Sequence, residues 1–202
     1  MPRPAWVRVC RLPDSGSGFT LARIRRATIC PGWETGAGMA RWASREQTVQ
    51  FLVHRNRLES FEAEDLAALT ETLIGRAILR VETTATAALA GGDVDGAFVA
   101  AYDGYRMTAE ALLARQALRA TGGDGSHMAV EDAVSAQFGE EIPAFTKPTF
   151  ERLRRSRHAA QYFDPSTAPL TESDATWAIG KAKEALSGVK ALLAATPPER
   201  FS

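Results

Sequence analysis

The sequence predicts an all-α protein, an antiparallel up-and-down bundle of about five main helices, on three observations. Long stretches repeat apolar residues at steps of three and four, as one face of a helix does. No stretch of any length alternates apolar and polar residues in the manner of a strand. Short glycine-bearing loops separate the periodic stretches and turn the chain back on itself. A chain of 202 residues can bury a core of its own without disulfide or metal staples.

The elements follow in order. Residues 1–43 carry Pro, Gly and Ser punctuation and no sustained period, so they read as an irregular or disordered extension. Met39 inside it is a second candidate start. Both cysteines, Cys10 and Cys30, fall in this extension and form neither a disulfide framework nor a zinc spacing. Ser44 to Gln47 has the spacing of a capping box, which predicts a short first helix through TVQFLVHRNRL. A second helix is expected over about 62–90, with Leu66, Leu69, Leu73, Ala77 and Val81 on its apolar face. Gly91 and Gly92 end it and Asp93 caps the next. That third helix is expected over about 94–120, with Phe98, Tyr102, Tyr105, Ala109 and Leu112 on one stripe.

After the glycine-rich TGGDGS loop a short fourth helix is expected over 127–138. Pro143 and Pro148 mark a break before a fifth, about 149–163, stopped by Asp164-Pro165 because a residue before proline avoids the α region. Thr171 and Asp174 bracket a cap for the last helix, whose apolar face is Ile179, Ala182, Leu186, Val189 and Leu193. Pro197-Pro198 closes the fold and leaves 197–202 as a tail. The folded domain is therefore expected at 44–196.

Composition narrows the function classes. The chain holds 24 basic and 24 acidic residues, a formal net charge of zero, which argues against a general nucleic-acid binder with a broad basic field. Local clustering of charge is what remains to be read. No run of about 18 apolar residues calls for a membrane span, and the N-terminus lacks the apolar region of a signal peptide, so a cytoplasmic location is expected. A glycine-rich phosphate loop, a metal-ligand spacing and a nucleophile elbow are all missing from the sequence, so the expected chemistry uses neither metal nor cofactor.

The segment FERLRRSRHAAQYFDP (150–165) stands apart. Arg152, Arg154, Arg155 and Arg157 lie close together, with no acid between Glu151 and Asp164. Such a run is often a solvated helix face. At 100° per residue, however, Arg157 falls roughly 20° from Phe150 and close to Leu153 and Ala160, inside the apolar stripe. Arg152 and Arg155 point to the other side. A cation on an inward face must be paired or line a cleft, because an unpaired charge in a dry interior is costly. Arg154, His158 and Tyr162 follow at steps of four along the flank of that face, which predicts an Arg, a His and a Tyr bordering one groove.

This segment resembles the signature of HEPN domains, helical bundles that carry Arg, then four to six residues, then His on a late helix. RLRRSRH satisfies the spacing as Arg152 to His158. A second register, Arg157-His158-Ala-Ala-Gln-Tyr162-Phe-Asp-Pro, is similar to a bacterial subgroup with RN-x-x-x-Y-x-D-P endings, and it puts a polar residue after the Arg. The second is preferred here, with Tyr162 in the place of the terminal His. AAYDGYRMTAEALLARQAL (100–118) looks like the family's early bundle helix, and residues 44–61 resemble a lead-in seen ahead of some members.

The resemblance implies an HEPN-like toxin of a toxin–antitoxin system, a metal-independent endoribonuclease. In it the catalytic residues are His158, which shuttles a proton, Arg157, which with Arg154 in support stabilises charge developing on the phosphoryl oxygens, and Tyr162, which orients the phosphate, while Arg154 and Arg152 bind the substrate. It also implies a homodimer and a cognate antitoxin or nucleotidyltransferase. The competing expectation is a non-catalytic helical module that binds a nucleotide, RNA or partner protein through the same groove, and a third is a bundle with no ligand. His54 reads as a surface or capping residue, His127 as structural, Asp103 with Arg106 as an intramolecular pair, and Tyr102 and Tyr105 as core.

Overall fold

The computed structural model describes residues 45–123, 125–161 and 168–201. The extension 1–43 with Cys10 and Cys30, the Ser44 cap, Tyr162 and the Asp164-Pro165 stop lie outside the described residues. What is described is a helical bundle with one small sheet. Its helices are α1 (Arg45–His54), α2 (Leu66–Ile78), α3 (Thr86–Ala90), α4 (Val94–Arg115), α5 (Ser126–Phe138), α6 (Lys147–Gln161) and α7 (Glu172–Ala195). A π-helical stretch, Leu79–Ala85, joins α2 to α3 without a break. Strands β1 (Leu58–Ser60) and β2 (Leu118–Ala120) pair antiparallel, Glu59 opposite Arg119.

Helix α4 is the centre. Its sequence is rich in alanine, and most of its length is buried, including Phe98, Ala101, Tyr105, Ala109 and Leu112 at 1% exposure or less. A helix apolar nearly all round must sit inside; α2, α6 and α7 all pack on it. Each large aliphatic or aromatic side chain buried there contributes roughly 1.5–3 kcal/mol. Gly104 makes the closest approach possible: a Cβ there would stand 2.4 Å from Val81 Cγ2 and 3.0 Å from the Ala77 carbonyl. Asp93 caps α4 by accepting from the Gly96 amide at 2.8 Å, and Gly92, at φ 82°, supplies the left-handed turn before it. In α7, the Thr171 hydroxyl accepts from the Asp174 amide while the Asp174 carboxylate accepts from the Thr171 amide, closing the expected capping box. The Thr171 hydroxyl, donating to Asp174 Oδ2 at 2.6 Å, and then the Thr171 amide hold the Asp174 carboxyl below its ordinary pKa.

The structure corrects four local expectations. First, α1 ends at His54 and Leu58 enters β1, while α4 ends at Arg115 and Leu118 enters β2. Three-residue strands are too short to show alternation, and their pairing joins residues about sixty positions apart. Ala117, buried and left-handed at φ 61°, turns the chain out of α4 with no glycine to signal it. Second, the core face of the long second helix is Thr70, Ile74, Ala77, Val81 and Ala85. Leu66, Leu69 and Leu73 are only half-buried beside it. Thr84 within the π stretch and Thr86 just past it donate to carbonyls five residues back, those of Leu79 and Val81. Third, Pro148 lies in the first turn of α6, where a missing N–H costs nothing, and not ahead of the helix. Fourth, the end of the chain stays on the bundle: the Phe201 amide donates to the Gln116 carbonyl at 3.0 Å, and Arg200 pairs with Glu62 at 2.6 Å.

Candidate functional site

Helix α6 buries only its first half. Phe150 and Leu153 are 4% and 0% exposed, and Phe150 meets Tyr105 edge-on at 4.8 Å between ring centroids. One turn beyond Leu153 the same face arrives at Arg157. The helix is thereby anchored by apolar contacts on one side of an arginine that faces inward. Arg157 sits partly buried with its guanidinium 5.4 Å from the Tyr102 ring centroid, and its Nε is buried without a hydrogen-bond partner among the described residues.

Arg157 looks into an open groove of about 370 Å³ lined by Tyr102 of α4, Gly125, His127 and Met128 at the start of α5, and Arg154, Arg155, Arg157 and His158 of α6. Tyr102 and His127 form its floor. The Tyr102 hydroxyl lies 2.8 Å from His127 Nδ1, and Nη1 of Arg106 stands 3.2 Å and 3.3 Å from the two ring nitrogens. Burial, then the charges of Arg106, Arg157 and Arg154, push the His127 pKa down to about 4, so the ring is neutral at pH 7. Burial pushes Tyr102 up to about 12, against the pull of the same three arginines, so its hydroxyl keeps its proton and shares a hydrogen bond with Nδ1.

Most of the cations around the groove have their own acids. Arg106 pairs with Glu110 at 2.7 Å, Arg154 with the nearly buried Glu131 at 3.2 Å, and Arg155 with Glu151. Burial raises the Glu131 pKa, opposed by the hydrogen bond from Arg154. Arg157 has no acid at ion-pair distance among the described residues. The groove is thus a cationic hollow over a neutral Tyr–His pair. An anion entering it meets guanidinium groups that can bind phosphate oxygens in pairs.

Four of the residues expected at the site fall among the described residues. Arg154, Arg157 and His158 line the groove together, with His158 exposed at its lip. Arg152 lies elsewhere: its guanidinium stacks 3.9 Å from the Trp177 ring centroid and reaches Asp174 at 3.5 Å, tying α6 to the start of α7. Tyr162 lies outside the described residues. Sequence reasoning missed His127, Tyr102, Arg106 and Glu131. Tyr102 is core, as expected, but its hydroxyl reaches the groove, while His127 is part of the floor. Arg106 pairs with Glu110, one turn along α4, instead of Asp103. The i to i+4 spacing of Arg106 and Glu110 was a readable signal; nothing local could bring His127 onto Tyr102.

No helix among the described residues is long and apolar enough to cross a membrane, and no group of three or more His, Cys, Asp or Glu among them could hold a metal ion. Compared with protein-family models, with curated proteins and with solved structures, the chain matches none, so the likeness to HEPN domains rests on its own residues.

Proposed function

We propose that the groove between α4, α5 and α6 binds the phosphodiester backbone of RNA and cleaves it without a metal, as the toxin of a toxin–antitoxin pair would. The observation that carries this reading is the convergence of Arg106, Arg154 and Arg157 on the Tyr102–His127 pair, with Arg157 lacking an acid among the described residues. Arg157 and Arg154 hold the phosphoryl oxygens and stabilise the charge that grows on them. His158 takes the proton of the ribose 2′-hydroxyl; the 2′-oxygen attacks phosphorus and the bond to the 5′-oxygen breaks. The imidazolium returns its proton through water to that oxygen, leaving a 2′,3′-cyclic phosphate and a 5′-hydroxyl. Tyr162 keeps the phosphate-orienting role that the family resemblance gives it. The same resemblance brings a homodimer and an antitoxin or nucleotidyltransferase partner into the proposal.

One observation favours the second reading, a module that binds RNA or a nucleotide without cutting it. His127 is a poor base, pushed toward its neutral form by burial and the neighbouring arginines, and its Nδ1 is already engaged by the Tyr102 hydroxyl. Labelled single-stranded RNA in the presence of a chelator separates the two, by anisotropy for binding and gel analysis for cleavage. Cleavage lost in His158→Ala with binding kept supports the enzyme. Binding that falls about tenfold or more in Arg157→Ala, with no cleavage by the native protein, supports the module. Arg157→Ala leaves folding stability within about 0.5 kcal/mol, because it removes a like charge from the cluster. RNA binding that ignores Arg157 sinks both readings.

A further inference from the structure

A second cavity, about 360 Å³, opens on the other side of Arg106. Its walls are Leu69 and Leu73 of α2, Leu113 of α4, and Leu118 of β2, with Phe61 also lining it; its polar groups include Arg106 and Glu110. This explains why Leu69 and Leu73 are apolar although they lie off the core face of α2. The cavity has the make-up of a small-molecule site, mostly apolar with a few convergent polar groups.

Two features join it to the groove. Arg106 lines the cavity and touches a residue of the groove: its Nε and Nη2 hold Glu110 beside the cavity while its Nη1 reaches His127, which lines the groove. The chain itself forms the other part of the divide, for Ser126 lines the cavity while Gly125 and His127, its neighbours, line the groove. Both arginine contacts fall on Oε1 of Glu110, which leaves Oε2 to accept from a ligand. An apolar slot with a carboxylate acceptor, next to a cationic phosphate site, suits a flat ring that carries N–H donors on one edge.

We infer that this cavity is a nucleobase pocket that receives the base next to a phosphate held in the groove, and that it prefers guanine. Guanine turns two adjacent N–H donors on its Watson–Crick edge toward the one open acceptor, Glu110 Oε2, while its rings lie among Leu69, Leu73 and Phe61. The inference rests on the reading of the groove as an RNA-phosphate site and adds a base specificity to it.

Calorimetric titration of the full chain with GMP, UMP, guanosine and inorganic phosphate tests it, alongside Leu69→Trp, which fills the cavity mouth from a half-buried position. GMP should bind about ten- to a hundredfold tighter than inorganic phosphate, and tighter than UMP. Leu69→Trp should erase that gain and leave phosphate binding as it was, with a melting curve to show the variant folded. GMP and UMP binding no better than phosphate, or a gain that survives Leu69→Trp, overturns the pocket while the groove reading stands. Failure of inorganic phosphate to bind removes the groove reading instead. Guanosine, which has no phosphate, then tests the cavity alone: binding lost on Leu69→Trp upholds it, and no binding overturns it.

Discussion

Helices α6 and α7 both pack on α4, yet they do so by different means. Helix α7 turns Ala175, Ala178, Ile179, Ala182, Ala185, Leu186 and Val189 inward, a seam of small and aliphatic residues along most of its length. Helix α6 turns in only Phe150 and Leu153, and past them it faces α4 with arginines. The first contact is a close-packed seam whose content is burial. The second ends in a hollow, because a guanidinium group cannot be dried out without a partner. Under the proposed function, that charge stands where an apolar residue would otherwise pack because the groove is kept for an anion.

The largest effect expected from this contrast lies within α6 itself. Leu153→Ala should lower stability by about 2–5 kcal/mol, read from urea or thermal melts, since it empties a fully buried site. The Arg157→Ala change one turn later, described above, should leave the melt almost where it was. If both changes destabilise alike, Arg157 is part of the core and the contrast between the two halves of the helix is broken.

A smaller effect is expected at Arg152, on the far side of the helix. Arg152→Ala removes the stack on Trp177 and a long, half-exposed ion pair with Asp174, so it should cost about 1 kcal/mol, or about 2–4 °C in Tm for a domain of this size. RNA binding should be unchanged. A fall in RNA affinity with no change in the melt would return Arg152 to the groove and favour the Arg152–His158 register.

The finest test concerns pH. The folded pKa of His127, about 4, lies below its ordinary value of 6.5. Stability from keeping it neutral is fully present above pH 6.5 and is lost as pH falls toward 4, because the unfolded chain takes up the proton first. The charges facing the ring are Arg106 of α4 and Arg154 and Arg157 of α6, with His158 at the lip and Glu131 on its own helix. A bound anion offsets those cations and raises the pKa, so binding should draw in a proton. Sulfate, which does not titrate in this range, should therefore raise Tm more at pH 5 than at pH 7.5, and the pH difference should vanish in His127→Gln. An equal rise at both pH values would separate His127 from the anion site.

Much of this architecture is legible in the chain, for reasons that are local. Helix periods, the Asp93 cap and the Thr171–Asp174 box depend on residues within a turn of one another. The inward placement of Arg157 needs only the angle per residue and the apolar neighbours on its own helix. Two misjudgements were local, the partner of Arg106 and the place of Pro148, and the rest are non-local. The stripe of the second helix contained more apolar residues than one face can bury, and only packing against α4 decided that Ile74 and Val81 enter the core while Leu69 and Leu73 line a cavity. The strands at 58–60 and 118–120 exist because α2, α3 and α4 carry their ends together.

From its sequence alone, this protein was determined to be helical, with turns at Gly91–Gly92 and around residues 121–125 and a cationic face on α6, since these follow from backbone period and side-chain chemistry within a few residues. Tertiary structure decided what that face looks at. Tyr102 and His127 are twenty-five positions apart and meet only when α5 folds across α4, and Arg106 acquires its place between groove and cavity at the same crossing. A helix can present a charge by its own period, but a site forms only where several helices cross, and that crossing is chosen by how the buried surfaces of the whole chain fit together.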